Sequence, residues 1–230
     1  MLVGVDGCKN AWIAISQTVD GGLDSHHVSD LEQFIDDYQP KVVAIDIPIG
    51  LVESGARQCD VAARKLLGKR KSSVFPAPIL PALAAKDRQT ADAITRSVDG
   101  KGVPAQAFGI YLKVREVDEL LRARPEFQNI IYEVHPELCF NSWNAETPMV
   151  HPKKSGSGFM ERIALVEATF GPDAFPGIRA RYVPSRVADD DILDAFAALW
   201  TARRIAAGKA LTCPAECEMS PTGLRMAMWY

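Results

Sequence analysis

The sequence predicts an α/β domain whose mixed sheet joins three antiparallel strands to parallel ones, with helices flanking it. Three observations predict this. Three short β-rich segments joined by turn signals open the chain. A continuously apolar segment, Lys41 to Ile47, follows the first helix-like stretch, as a strand covered on both faces would. Helix-period segments then alternate with one more apolar strand. At 230 residues and 47% hydrophobic, the chain can fill one large core, so a single domain over 1–230 is expected.

Leu2 to Val5 is apolar with β-branched positions and meets Asp6-Gly7, which reads as a buried strand ending in a turn. Ala11 to Thr18 alternates and gives a second strand, and Leu23 to Val28 a third after Asp20-Gly21-Gly22. Ser29-Asp30 caps a helix over Leu31 to Tyr38, which Pro40 stops. Beyond the Lys41–Ile47 strand, Ala56 to Leu67 and Gly109 to Leu121 have helical character, with a Ser- and Pro-rich piece between them (SSVFPAP). This stretch reads as a helical insertion at about 51–128. Asn129 to Val134 is an apolar strand, and Phe159 to Phe170 an amphipathic helix closed by Gly171-Pro172. A short strand is expected at Ala180 to Val183. Asp190 to Ala207 is a helix with acids at its start, Arg203-Arg204 near its end and Gly208 as its stop. Three antiparallel strands, a helix, a parallel strand, helices, a parallel strand and helices follow one another in the RNase H-like order. A Rossmann order needs helices between the first strands, and the G-x-G-x-x-G and G-x-x-x-x-G-K-[ST] loops are missing.

A net charge of −3 argues against a protein that coats nucleic acid, while leaving room for a local basic patch. Five dispersed cysteines do not form a disulfide framework, and reduced thiols in a cytoplasmic protein are the simpler reading. No apolar run reaches membrane-spanning length, so no membrane association is expected, and Leu2 to Asp6 reads as core strand rather than leader.

Carboxylates at strand ends carry the functional signal. Asp6, Asp46 and Glu133 each close an apolar segment (VGVDG, VAIDIP, IIYEVHP). If these strands are parallel neighbours, their C-terminal ends share the sheet edge where α/β sites form. Taken singly, Asp6 before glycine reads equally as a turn former, and Glu133 as one half of an ion pair. Asp46 is harder to explain that way, because an unpaired buried charge is costly. Asp191 and Asp194 are three apart on one helical face, and Asp194 lies a turn inside, among Leu193, Phe196 and Leu199. Helix capping explains part of this acid run, but not Asp194. Carboxylate oxygens favour Mg²⁺ or Mn²⁺ over zinc. A pair of such ions about 4 Å apart suits in-line displacement at phosphorus, with Asp6 the candidate bridging ligand.

The segments VGVDGCK, AIDIPIGL, RQCDVAARKLLGKRKSSVFPAP, EVHPELCF, DDDILDAFAALWTARRIA and GLRMAMWY resemble the family catalogued as domain of unknown function 429, over nearly the whole chain. The resemblance implies an RNase H-like fold and a nuclease activity that has been predicted for that family. The carboxylate layout is also similar to RuvC-type resolvases, and by that likeness Asp6, Asp46, Asp191 and Asp194 are the metal-binding positions. Two departures stand out. The resolvase acid on the second catalytic strand differs in length from Asp46. Family members also commonly carry an acid where this chain has Ala227.

Arg57, Arg64, Lys69, Arg70, Ser72 and Ser73 lie in one basic, hydroxyl-bearing run that suits phosphate oxygens, although a solvated helix face would look the same. Lys153 beside Gly156 and Gly158 is a second phosphate-binding candidate. His135, two residues after Glu133, could move protons near neutral pH. The pair Cys213 and Cys217 lacks the second pair a zinc site needs, and Cys8 lacks an evident histidine partner. The expected function is therefore a Mg²⁺- or Mn²⁺-dependent phosphodiesterase, acting on nucleic acid or a small phosphoester. Its catalytic residues would be Asp6, Asp46, Glu133, His135 and Asp194. Two rivals keep the fold: a nucleotide-binding ATPase or phosphotransferase, for which Asp6-Gly7-Cys8-Lys9 is only a thin phosphate loop, and a non-catalytic nucleic-acid or protein-binding module.

Overall fold

The computed structural model describes residues 1–230. Strands β1 (Leu2–Cys8), β2 (Ala11–Gln17) and β3 (Leu23–Val28) are followed by α1 (Leu31–Tyr38), β4 (Val42–Ile45), α2 (Gln58–Leu67), α3 (Arg88–Asp99), α4 (Ala105–Phe108) and α5 (Tyr111–Ala123). Then come β5 (Ile131–Glu133), α6 (Pro136–Trp143), α7 (Gly156–Phe170), α8 (Ala174–Arg179), α9 (Asp189–Ala206), β6 (Thr212–Met219) and β7 (Arg225–Trp229). The chain divides into two compact units. The first comprises Met1–Asp46, Ile130–Leu211 and Trp229–Tyr230, and the second Ile47–Asn129 and Thr212–Met228. The insertion expected at 51–128 falls within the second unit, which also takes in most of a C-terminal hairpin.

In the first unit a five-stranded sheet runs β3-β2-β1-β4-β5. The β1–β2 and β2–β3 pairs are antiparallel, and β1–β4 and β4–β5 are parallel. This mixed α/β sheet flanked by helices is consistent with the RNase H-like order. Strand β1 does not turn at Asp6-Gly7. It runs on to Cys8, with Asp6 opposite Ile13 and Gly7 opposite Trp12, and the reversal falls at Lys9-Asn10, where Asn10 takes a positive φ of 57°. Its parallel pairing with β4 stops earlier, at Val5 and Ile45. Asp6 therefore stands where the sheet opens on one side while the backbone stays held on the other.

Helix α9 presses onto β1. A Cβ added at Gly4 would lie 2.2 Å from the Ala195 carbonyl oxygen and 2.1 Å from the Leu199 nitrogen, so only glycine admits this approach. Ile192, Leu193, Phe196, Leu199 and Ala202 of α9 are buried, joining Ile13, Ile15, Val42, Ala44 and Val134 in the main core. The strand expected at Ala180–Val183 does not form. The Arg179 guanidinium takes the Tyr182 and Val187 carbonyls at 2.8 Å each, and the Tyr182 N–H bonds back to Arg179, so the backbone groups a ladder needs are already engaged in a turn.

The second unit has its own small core around Ile79, Ala82, Ala91, Ala107 and Tyr111. Strands β6 and β7 form a two-stranded sheet, and α2 packs on β6, where the Cys213 thiol donates to the Cys59 carbonyl at 3.7 Å. All five cysteines are free, and no helix is long and apolar enough to cross a membrane.

Candidate metal centre

The parallel register places the first two acids. Val5 pairs with Ile45, and the Asp46 N–H donates to the Val5 carbonyl at 3.0 Å, so Asp6 and Asp46 stand side by side. They share the face of Gly4 and Ala44, the face that α9 covers. Because Ala195 touches Gly4, the preceding residue, Asp194, is brought to the acids on β1 and β4. Asp191 sits a turn earlier on α9, with one carboxylate oxygen accepting the Ala188 N–H at 2.8 Å. Asp6 is 8% exposed and Asp194 3%. The Asp6 and Asp46 carboxyls hydrogen-bond to each other, and neither forms an ion pair.

Crowding of like charges out of water disturbs all four acids. Burial, then the charges of Asp194 and Asp46, holds Asp6 well above the ordinary aspartate range, against the pull of Lys153. Burial, then Asp194, pushes Asp46 up to about 8. Burial likewise pushes Asp191 up to about 6, against the Ala188 N–H. Burial raises Asp194 too, with Lys153 restraining the rise. Such a cluster is relieved by protons or by cations. Its donors are hard oxygens, which fit Mg²⁺ or Mn²⁺, and the Asp6–Asp46 pair, which has no ion pair of its own, is where a cation would gain most.

One cation from the chain reaches the cluster. The Lys153 ammonium lies 2.5 Å from Asp194 Oδ2 and 3.8 Å from Asp190 Oδ2. Burial works against its charge, yet Asp194, Asp6 and Asp46 together raise its pKa above the ordinary lysine value. Sequence reasoning gave Lys153 to phosphate, and the structure gives it to carboxylates.

Other expected site residues fall elsewhere. Glu133 pairs in register with Ile45, which puts it on the opposite face of the sheet from Asp46, although its charge adds to the repulsion Asp46 feels. His135 is the N-cap residue of α6, and its carbonyl accepts the Leu138 and Cys139 N–H groups. In the second unit, Arg57, expected at phosphate, lies buried at 2% exposure. Its buried guanidinium is held by Asp60 at 2.6 Å and by the Ile49 carbonyl at 3.1 Å. Arg64 is likewise engaged, by two bonds to the Val74 carbonyl at 3.1 and 2.9 Å. Lys69 and Ser72 are exposed. Arg70 and Ser73 are half-buried, with Ser73 Oγ donating to the Arg70 carbonyl at 2.9 Å. Ala227 is buried within β7.

Sequence reasoning missed the buried Glu137–Arg162 pair, 2.6 Å apart, whose carboxylate adds to the charge around Asp194. Its one sequence signal was an arginine at the core-facing position of α7, next to Ile163 and four before Val166.

No curated protein matches the chain, and no solved structure matches it either. The family model described as "Protein of unknown function (DUF429)" matches residues 4–219, a span that holds every acid of the cluster and Lys153. The chain belongs to the DUF429 family.

Proposed function

We propose that this chain is a divalent-metal-dependent phosphodiesterase that acts as a nuclease, hydrolysing phosphodiester bonds of nucleic acid or of a small phosphoester in the cytoplasm. The observation that carries the reading is the pair Asp6 and Asp46, side by side and with no ion pair to either, the first buried and the second half-buried, with Asp194 brought against them by α9. Asp6 and Asp46 would hold the ion, with Asp191 and Asp194 adding the oxygens left after the Ala188 N–H and Lys153 are served. A bound Mg²⁺ or Mn²⁺ supplies charge for a phosphoryl oxygen and lowers the pKa of water. The residues of the chain do the positioning. The β1–β4 register fixes two carboxylates on the sheet, and α9, wedged at Gly4, fixes the other two. Exposed Lys65, Lys69 and Lys71 offer cationic side chains suited to phosphate, an arrangement compatible with the overall charge of −3.

The rival phosphate-loop reading loses ground. Asp6, Gly7 and Cys8 are paired strand residues rather than a loop, with Gly7 opposite Trp12. The test is cleavage of single- and double-stranded DNA, of RNA and of an activated small phosphodiester in Mn²⁺, by wild type and Asp6→Asn. Metal-dependent turnover that the substitution abolishes without unfolding the chain is the expected result. Tight binding with no turnover would make the chain a binding module, and turnover unaffected by Asp6→Asn would end the assignment.

A further inference from the structure

We infer that Lys153 is the second cation of this centre, standing in for one ion of a metal pair, so that the chain takes a single divalent ion. The inference rests on the metal-centre reading above and adds its stoichiometry.

The four acids are not served alike. On α9, Asp194 gives Oδ2 to the Lys153 ammonium at 2.5 Å, and Asp191 gives Oδ2 to the Ala188 N–H at 2.8 Å. Half of the oxygens these two acids could offer are already engaged. On the sheet, Asp6 is only 8% exposed and bonds to Asp46, and neither acid forms an ion pair, Lys153 acting on them only at longer range. The centre thus has one half in direct contact with a cation of the chain and one half that this cation reaches only through its field. A two-ion site needs both halves open, and a one-ion site needs only the second.

The lysine is also placed by a built scaffold. Glu161 of α7 accepts the Val150 and His151 N–H groups at 2.7 and 3.1 Å. Ser155 caps α7, accepting the Gly158 N–H at 3.0 Å while its own hydroxyl donates to the Pro152 carbonyl at 2.8 Å. A Cβ at Gly158 would lie 2.0 Å from that same carbonyl oxygen, so glycine is what lets the segment close down on the helix. The buried Arg162, tied to Glu137, donates to the His151 and Gly158 carbonyls at 3.4 and 2.9 Å. Residues on either side of Lys153 are fastened, and its ammonium is aimed inward at an acid that is 3% exposed. An ammonium differs from a metal in keeping its charge without a coordination shell to complete, so it can neutralise Asp194 permanently while leaving the Asp6–Asp46 side for an exchangeable ion.

The test is Mn²⁺ stoichiometry, read by calorimetry and by the paramagnetic signal of bound Mn²⁺, on wild type, Lys153→Met and Lys153→Arg. Lys153→Met keeps the aliphatic stem, and thermal melts check that each variant folds. One Mn²⁺ in wild type, one in Lys153→Arg, and two in Lys153→Met with the spectrum of a coupled pair is the expected result. Two ions in wild type, or one in Lys153→Met, overturns the inference while leaving the metal centre standing. No Mn²⁺ in any of the three proteins overturns the inference together with the metal-centre reading beneath it.

Discussion

Asp46→Asn offers the most direct reading of the charge crowding. The carboxyl rises from an ordinary 3.8 to about 8 in the folded chain, so the folded state holds its proton more tightly than the unfolded one. Stability from this group is therefore full below its unfolded value, is lost as pH climbs, and levels off above about 8. At about 1.4 kcal/mol per pH unit, the whole rise would amount to on the order of 5 kcal/mol. Asp46 is only half-buried and shares its protons with Asp6 and Asp194, so solvent and coupling reduce the expected loss to about 2–3 kcal/mol. For a chain of this size that is a fall in melting temperature of about 5–10 °C between pH 5.5 and pH 8.5. The assay is thermal unfolding in a chelator at those two pH values. Wild type should melt lower at the higher pH, Asp46→Asn should show a smaller difference, and Mn²⁺ should restore wild type but not the variant. Asp6 and Asp194, raised chiefly by burial, and Asp191, raised to about 6, leave a residual slope in both proteins. His26 works in the opposite sense, since burial lowers its pKa and stability is lost as pH falls through it. That contribution is common to both chains and drops out of the comparison. A wild-type melting temperature that is flat or rises toward pH 8.5, or an equal fall in Asp46→Asn, would refute the crowding argument.

Gly4→Ala should cost about 3 kcal/mol or more in urea unfolding, because the new methyl meets helix backbone rather than a movable side chain, and Mn²⁺ affinity should fall as Asp194 is pushed away. Arg57→Ala should cost about 3–5 kcal/mol by leaving Asp60 buried without its partner, with any loss of nucleic-acid binding following the loss of fold. Replacing Lys65, Lys69 and Lys71 by alanine should leave Mn²⁺ binding unchanged. It should also reduce the salt dependence of nucleic-acid binding, by about one unit of log–log slope for each phosphate no longer neutralised.

Much of the fold was legible because it is written in local period and punctuation. The apolar Lys41–Ile47 segment, the Asp30 cap and the long α9 pattern each specify their element within a few residues. Asp6, Asp46 and Asp194 were legible for the same reason, as charges inside segments that should have none. What the sequence hid depends on distant partners. The extension of β1 through Asp6-Gly7 is decided by β2 pairing beyond the point where β4 stops. The face of Glu133 is decided by a register that sets it opposite Ile45, one residue short of Asp46. Lys153 meets an acid 41 positions away, so nothing beside it announces the pairing. The β6–β7 hairpin was missed because its first strand, TCPAECEM, is mostly exposed and carries a proline, which hides the alternation that marks a half-buried strand.

The seat of α9 on β1 has a consequence for how the molecule comes into being. Gly4 waits for Ala195 and Leu199, and most of the second unit is inserted between them in the chain. As synthesis proceeds from the amino terminus, the first hairpin emerges early, with the sheet surface around Gly4 and Ala44 still wet. It stays so until the ribosome has passed the last turn of this helix. Pairings of such long sequence separation form slowly. The nascent polypeptide therefore carries an open apolar surface through most of its elongation, and closing that surface and assembling the four acids are one event.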